Sequence, residues 1–115
     1  MKNGLELLAI CLSIMVILMA EGCGVKPGDP ARGEKVFNAR CWNCHEKDTE
    51  AYALAPGLKN YWQRSPHKEK NGSEHTHTDE FVRNFIRKGS MNMPPQKDHL
   101  TEQELADVTA YLKTL

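Results

Sequence analysis

Two cysteines and a histidine, Cys41, Cys44 and His45, are spaced as C-x-x-C-H in residues 41–45. This pattern is typical of covalent haem attachment. On a helix, residues three and four positions apart share a face, so the three side chains would project to one side. The two thiols would bond the vinyl groups of one porphyrin, and the imidazole would bind the iron as an axial ligand. The motif therefore predicts one covalently bound haem c per chain.

Three other uses of the paired cysteines are less well supported by the sequence. A redox-active dithiol usually belongs to a βαβ unit, and no alternating β-rich segment flanks the motif. A structural zinc site needs about four ligands, and the remaining cysteines, Cys11 and Cys23, form no second C-x-x-C pair. A simple disulfide would leave His45 without a role. The sequence favours haem and leaves the dithiol and zinc interpretations open.

Length and charge limit the class of protein. The chain has 115 residues, which suits one domain, and its 15 Lys and Arg balance its 15 Asp and Glu. This balance creates no strong field for nucleic acid, so no nucleic-acid partner is expected. A domain this small buries little apolar surface. We therefore expect the haem to complete the core, and the haem-free chain to fold poorly.

The N-terminus is typical of an exported protein. After Lys2, residues 7–20 form an uncharged apolar run, which suits a signal peptide and is short for a membrane span. We predict a signal peptide or N-terminal anchor over residues 1–22, a linker over 23–28 and a folded domain over 29–115.

Two processing routes fit the end of this segment. Ala20 and Gly22 place small residues where a signal peptidase requires them. The same residues resemble a bacterial lipoprotein box before Cys23, although Ala20 and Glu21 depart from its usual residues. An uncleaved anchor is the third option. Every option places the domain in the periplasm or on the outer face of a bacterial membrane, and Cys23 or the N-terminal segment could tether it there.

Capping signals and apolar spacing predict three helices. The first runs from about Pro30 to about Cys41, the second from about Asp79 to Lys88, and the third begins at the capping box Thr101–Glu104. Asp29 and Thr78 are the expected N-caps of the first two, and Gly89 ends the second. The expected buried positions are Gly33, Val36, Phe37 and Cys41, then Phe81, Val82, Phe85 and Ile86, and finally Leu105, Val108, Tyr111, Leu112 and Leu115.

A stiff loop after the second helix contains two methionines. Met91 and Met93 precede Pro94 and Pro95, and a proline pair is extended and restricts the residue before it. Surface methionines usually fill gaps. Beside a haem, a thioether can instead bind the iron and raise its reduction potential. Met93 is the favoured axial ligand because it adjoins the prolines, and Met91 is the second candidate.

Three residues between the motif and the second helix could support the haem. Pro56 keeps its carbonyl, which could accept the Nδ1–H of His45 and hold the ring, as ligating histidines usually require. An ordinary turn proline is the alternative. Tyr61 and Trp62 are either core aromatics or donors to the haem propionates, and a half-buried ring with a polar tip suits both roles.

The stretch from Gln63 to Thr78 contains no large apolar residue. We therefore expect residues 65–78 to form an exposed loop. His75 and His77 suggest a metal site, but no third ligand is indicated, so we expect both to be solvated. Ligation of the haem iron by this loop is a further alternative.

Residues 28–115 resemble a class I monohaem cytochrome c. The likeness depends on the motif Cys41–His45, on Gly33 and Phe37 facing Val108 and Tyr111, on Pro56, and on the run from Phe81 to Pro94. The resemblance implies an all-α fold in which the N- and C-terminal helices cross and the chain surrounds one covalent haem. It also implies that Pro56 orients His45 and that Met93 is the distal ligand. Two features depart from the family, Ala55 in place of glycine and the polar stretch 63–78.

The resemblance implies electron transfer rather than enzymatic catalysis. The iron would cycle between ferric and ferrous states with both axial positions filled by protein. Partners would be other redox proteins, such as cytochromes, reductases or oxidases, met through the haem edge in transient contacts. Two rival functions are a haem enzyme or gas sensor with an open distal site, and a fixed haem subunit of a larger redox complex.

Overall fold

A computed structural model describes residues 24–68 and 72–115. The predicted signal peptide or anchor and the processing sites up to Cys23 lie outside the described residues. The described chain forms three helices, α1 (Pro30–Arg40), α2 (Asp79–Lys88) and α3 (Glu102–Leu112). It also forms one antiparallel pair of short strands, β1 (His67–Lys68) and β2 (Glu74–His75). Across residues 24–68 and 72–115, no helix is long and apolar enough to cross a lipid bilayer.

Helix α1 begins after Asp29, the N-cap that the sequence predicted. The Asp29 carboxylate accepts hydrogen bonds from the backbone N–H groups of Ala31 and Arg32, and Pro30 occupies the first turn. The helix ends at Arg40, one residue earlier than expected. Cys41 is its C-cap, with its N–H donating to the Phe37 carbonyl.

The predicted crossing of the first and last helices is confirmed. Gly33 is buried at the contact, and a Cβ there would overlap the backbone carbonyl of Asp107 on α3. The two helices can therefore approach backbone to backbone only because position 33 has no side chain. One turn further along α1, the rings of Phe37 and Tyr111 pack with centroids 5.5 Å apart. This contact is called the helix crossing below.

Helix α3 buries more residues than the single apolar stripe that the sequence predicted. Its capping box is formed, with the Thr101 side chain and the Glu104 side chain each accepting from the other's backbone N–H. Both α1 and α2 pack against α3. A helix with neighbours on two sides buries more than one stripe, and the additional buried residues are Ala106, Asp107 and Thr109.

Helix α2 has the predicted bounds, with Thr78 as N-cap and Gly89 as C-cap. Its buried face is narrower than expected. Val82 and Ile86 belong to the core, whereas Phe81 is half-buried and Phe85 is 40% exposed. The four-residue face was predicted from apolar character alone. Val82 and Ile86 belong to the cluster of buried residues, Phe81 packs against that cluster, and Phe85 does neither.

The prediction of an exposed loop over residues 65–78 is only partly correct, because most of its described residues are exposed but it also contains a strand pair and a buried histidine. Residues 65–78, called the histidine segment below, contain the β1–β2 pair, in which His67 lies opposite His75. His77 is only 4% exposed. Its ring stacks on Tyr61 with centroids 4.0 Å apart, and its backbone N–H donates to the Ser65 hydroxyl at 2.9 Å. Stacking and hydrogen bonding, rather than aliphatic packing, attach this segment to the domain.

Candidate haem site

The C-x-x-C-H motif lies directly after α1 rather than within it. The chain continues in helix-like turns, because the backbone N–H groups of Cys44 and His45 both donate to the Cys41 carbonyl, at 3.1 and 2.9 Å. Cys41, Cys44 and His45 therefore keep the relation of residues three and four apart on a helix, although α1 itself ends at Arg40. Helix α1 thus brings the two thiols and the imidazole to its C-terminal end.

The two thiols differ in environment. Cys41 is half-buried against the core and Cys44 is exposed, and both are free. Burial, with a smaller contribution from neighbouring Cys44, raises the pKa of the Cys41 thiol to about 11. Both sulfur atoms are available for thioether bonds, and neither is committed to a disulfide in the described structure.

The imidazole of His45 is oriented by the loop that follows the motif. Its Nδ1–H donates to the Pro56 carbonyl at 2.9 Å. This bond places the proton on Nδ1 and leaves the Nε2 lone pair for a metal. The loop itself is fixed by backbone bonds from Gly57 to the Ala51 carbonyl, at 2.9 Å, and from Leu58 to the Glu46 carbonyl, at 2.7 Å. The geometry predicted for Pro56 is therefore present.

The loop after α2 places Met91 and Met93 in different environments. Gly89 begins it with a φ of 67°, where a Cβ would collide with the Met93 carbonyl. The Ser90 N–H donates to that carbonyl at 2.9 Å. Met93 is half-buried and packs against the core, whereas Met91 is 98% exposed. The structure thus distinguishes the two candidates in burial, in the order that the sequence favoured.

Tyr61 and Trp62 are half-buried and border the core. Their rings meet edge to face with centroids 6.4 Å apart. Tyr61 also stacks on His77, and the Lys113 ammonium lies 4.9 Å from the centroid of the Trp62 ring. Both aromatics join the histidine segment to the rest of the domain, so each has a structural role whatever it contributes to a cofactor.

Sequence reasoning missed Arg64. One terminal nitrogen of its guanidinium donates to the Gly57 carbonyl at 2.7 Å, next to the Pro56 carbonyl that holds His45. Its Nε–H is buried and has no hydrogen-bond partner among the described residues. A buried cationic donor is costly without an acceptor, and a carboxylate such as a haem propionate would supply one. A single arginine in a polar run carries no sequence signal for this position.

The histidine segment brings three imidazole rings close together. The rings of His67, His75 and His77 have centroids 5.2 to 6.1 Å apart. The third imidazole was not expected from the sequence. Nevertheless, within residues 24–68 and 72–115, no group of three or more His, Cys, Asp or Glu side chains is arranged to hold a metal ion.

Comparison with known proteins assigns the family. Residues 30–115 match the family model for cytochrome c. The fold is similar to that of cytochrome c6 from the diatom Phaeodactylum tricornutum, with a TM-score of 0.57 and 26% sequence identity. The alignment covers 76% of this chain and 93% of the diatom protein. A search of curated protein sequences finds no match to this chain.

These matches, together with the thiols and imidazole at the end of α1, answer the question left open by the motif. The dithiol and zinc interpretations give way to covalent attachment of one c-type haem, and the mostly helical fold is the one expected. The chain belongs to the cytochrome c family and is a haem-binding electron carrier.

Proposed function

We propose that this cytochrome transfers single electrons with an iron held between His45 Nε2 and Met93 Sδ. The observation that supports this assignment most directly is the 2.9 Å bond from His45 Nδ1 to the Pro56 carbonyl, which orients the other ring nitrogen as a ligand. The haem, when bound, supplies an iron that cycles between ferric and ferrous states. Cys41 and Cys44 would tether it, and His45 and Met93 would supply its two protein ligands.

Met93 is proposed over Met91 because of burial. A ligand must be held in one place, and Met93 packs against the core while the Met91 side chain is almost fully exposed. The Gly89 turn and the Ser90 bond to the Met93 carbonyl fix the backbone that presents it. A thioether ligand favours the ferrous state and raises the reduction potential. With both axial positions filled by protein, no substrate needs to bind the iron.

Arg64, Tyr61 and Trp62 are proposed to support the propionate side. The unpaired Nε–H of Arg64 is the specific observation, since a buried cationic donor without an acceptor fits an anionic carboxylate. Arg64 also donates to the Gly57 carbonyl. The same guanidinium would thus connect the cofactor carboxylate with the loop that orients His45.

Partners are proposed to be redox proteins that dock beside the attachment motif. Trp42 and Leu54 are 61% and 78% exposed, and both line a surface cavity that also includes Cys44. Large apolar side chains exposed next to a tethered haem suit a small, transient contact. We further propose that the protein is exported, that its N-terminal segment is a signal peptide or anchor, and that Cys23 is either lipidated or left by simple cleavage.

The axial ligand is tested by two matched variants of the exported, haem-loaded protein. The ferric wild type should show the weak far-red absorption band that marks methionine–iron ligation. Met93→Ala should abolish the band, and Met91→Ala should retain it, because only Met93 is held against the core. A band that survives in Met93→Ala and disappears in Met91→Ala would transfer the role to Met91. Absence of the band in the wild type would remove methionine ligation from the proposal.

A further inference from the structure

His77 is buried where its ionisation has consequences. Its Nδ1–H donates to the Tyr61 carbonyl at 2.8 Å, and its ring lies against the Tyr61 ring. Because Nδ1 carries the proton, Nε2 is the site of any second proton. That nitrogen is buried and has no hydrogen-bond partner among the described residues. A proton added there would create a buried cation without an acceptor.

The groups that face His77 are cationic or become so in acid. They are His67 and His75 from the strand pair, with ring centroids 6.1 and 5.4 Å away, and Arg64 from the turn that contains Tyr61. Burial is the main cause that lowers the pKa of His77, opposed in part by its bond to the Tyr61 carbonyl, and the three neighbours lower it further. His77 is therefore neutral at pH 7 and charged only in more acidic solution.

A short series of bonds connects His77 with the ligand loop. The ring is bonded to the Tyr61 carbonyl, and the Tyr61 N–H donates to the Leu58 carbonyl at 3.0 Å. In the same turn, Arg64 donates to the Gly57 carbonyl at 2.7 Å. Gly57 directly follows Pro56, whose carbonyl accepts the Nδ1–H of His45. A positive charge on His77 would therefore act on the Tyr61 carbonyl at one end of this turn and on the Arg64 guanidinium at the other.

We infer that His77 is a positioning residue that makes the reduction potential depend on pH, through the Tyr61–Arg64 turn and the loop that orients His45. The inference rests on the proposed axial role of His45. Protonation adds a positive charge at His77 Nε2, and this charge repels the Arg64 guanidinium. Added positive charge disfavours the ferric state, which carries one charge more than the ferrous state. Reduction takes up one electron at the iron and, in the acidic range, part of a proton at Nε2.

Linkage fixes the sign of two observable effects. The reduction potential should fall as pH rises through the range in which His77 loses its proton, and become flat above it. By reciprocity, His77 must bind its proton more tightly in the ferrous than in the ferric protein. The second effect is measurable without any substitution, which keeps the inference testable if a variant fails to fold.

The experiment follows the reduction potential of the full-length, haem-loaded protein from about pH 5 to about pH 8, the range in which histidine titrates. Wild type should show a potential that falls with pH. His77→Gln should remove most of this slope, and Arg64→Gln should reduce it. His99→Gln is the matched control, because His99 is exposed in a turn outside the cluster, and it should keep the slope. Nuclear magnetic resonance of labelled imidazoles gives the midpoint of His77 in each oxidation state.

The outcomes separate this inference from the ligand assignment. The far-red band is recorded for every variant, and its presence shows that the axial ligands are intact. A slope that persists in His77→Gln with the band present assigns the proton to another group, such as a haem carboxylate, and overturns the inference. Equal His77 midpoints in the ferric and ferrous proteins would overturn it as well. Loss of the band in wild type would instead contradict the proposed function.

Discussion

The helix crossing buries Asp107 and the histidine segment buries His77, and the two ionisable side chains differ in their hydrogen bonding. At the crossing, Asp107 accepts hydrogen bonds from the Asp29 backbone, from two nitrogens of Arg32 and from Gln103, at 2.8 to 3.1 Å. In the histidine segment, His77 has one side-chain hydrogen bond and an unpaired Nε2. The Asp107 carboxylate therefore has four donors, whereas a proton added to His77 Nε2 would have no acceptor among the described residues.

The difference appears in the pKa of each group. The bond from Arg32 is the largest of the causes that lower the pKa of Asp107 to about 2, so its charge is constant at neutral and mildly acidic pH. Burial lowers the pKa of His77, so its ring is neutral at pH 7 and can gain a proton in more acidic solution. The crossing therefore holds a carboxylate of constant charge, whereas the histidine segment holds an imidazole that gains a charge in more acidic solution.

The largest expected effect is at the crossing. Helix propensity alone predicts that Gly33→Ala stabilises α1 by about 1 kcal/mol. The added Cβ would overlap the Asp107 carbonyl, so we expect a net loss of about 3 kcal/mol in the free energy of unfolding. Denaturant unfolding of the haem-loaded protein measures it. Gly72→Ala in the histidine segment is the comparison, since nothing lies within 4 Å and only its φ of 84° opposes a side chain. That variant should lose only about 1 kcal/mol, and equal losses would remove the contrast between the regions.

Neutralising the compensated charge should be the next largest effect. Asp107→Asn keeps the shape but loses the charged bonds to Arg32, and should cost about 2 kcal/mol in the free energy of unfolding at pH 7. Asp98→Asn is the control, because Asp98 is exposed in a turn, and it should be nearly neutral. A loss below that of the control would show that the network at the crossing does not stabilise the fold.

Acid unfolding should reveal the same carboxylate. The pKa of Asp107 is lower in the folded protein than in the unfolded chain, so its contribution is complete above about pH 4 and is lost as pH falls toward 2. The loss should amount to about 2 kcal/mol in wild type. Stability measured at stepwise lower pH should therefore fall less steeply in Asp107→Asn than in wild type over this interval. Parallel curves would contradict the assignment.

The smallest effect is expected from His77. Its pKa is lower in the folded than in the unfolded state, so the unfolded chain binds the proton first, and stability should decline as pH falls below about 6.5. His77→Gln should remove that decline and cost about 1 kcal/mol at pH 7, through loss of the ring stack and the bond to Tyr61. In His77→Gln, backbone hydrogen exchange should become faster in residues 72–78 than in wild type, while exchange in α3 should be less affected. Uniform acceleration in both would show that the segment is not a separate, weaker unit.

Local signals in the sequence predicted the scaffold well. Asp29, Thr78 and Thr101 all cap the helices assigned to them, because capping involves residues only two or three positions apart. The spacing of Cys41, Cys44 and His45 likewise predicted a covalent c-type haem, which the family assignment supports. The bond from His45 to Pro56 was expected from the resemblance, and the geometry is present.

The burial of Asp107 and of His77 could not be predicted. Asp107 is polar on a helix that was expected to bury one apolar stripe, and its partner Asp29 is 78 positions away. His77 was expected to be solvated because its neighbours in sequence are polar. Its burial depends on Tyr61, which is 16 positions away and offers a ring and a carbonyl together. Long-range partners of this kind leave no period or motif in a single sequence.

The central claim, that protein ligands fill both axial positions of the iron, is tested most directly by adding carbon monoxide to the reduced, full-length protein. With His45 and Met93 both bound, the ferrous spectrum should remain unchanged at neutral pH. Rapid and stoichiometric formation of a carbon monoxide complex by wild type would contradict the claim. The distal position would then be open, and a haem enzyme or gas sensor would become the better account.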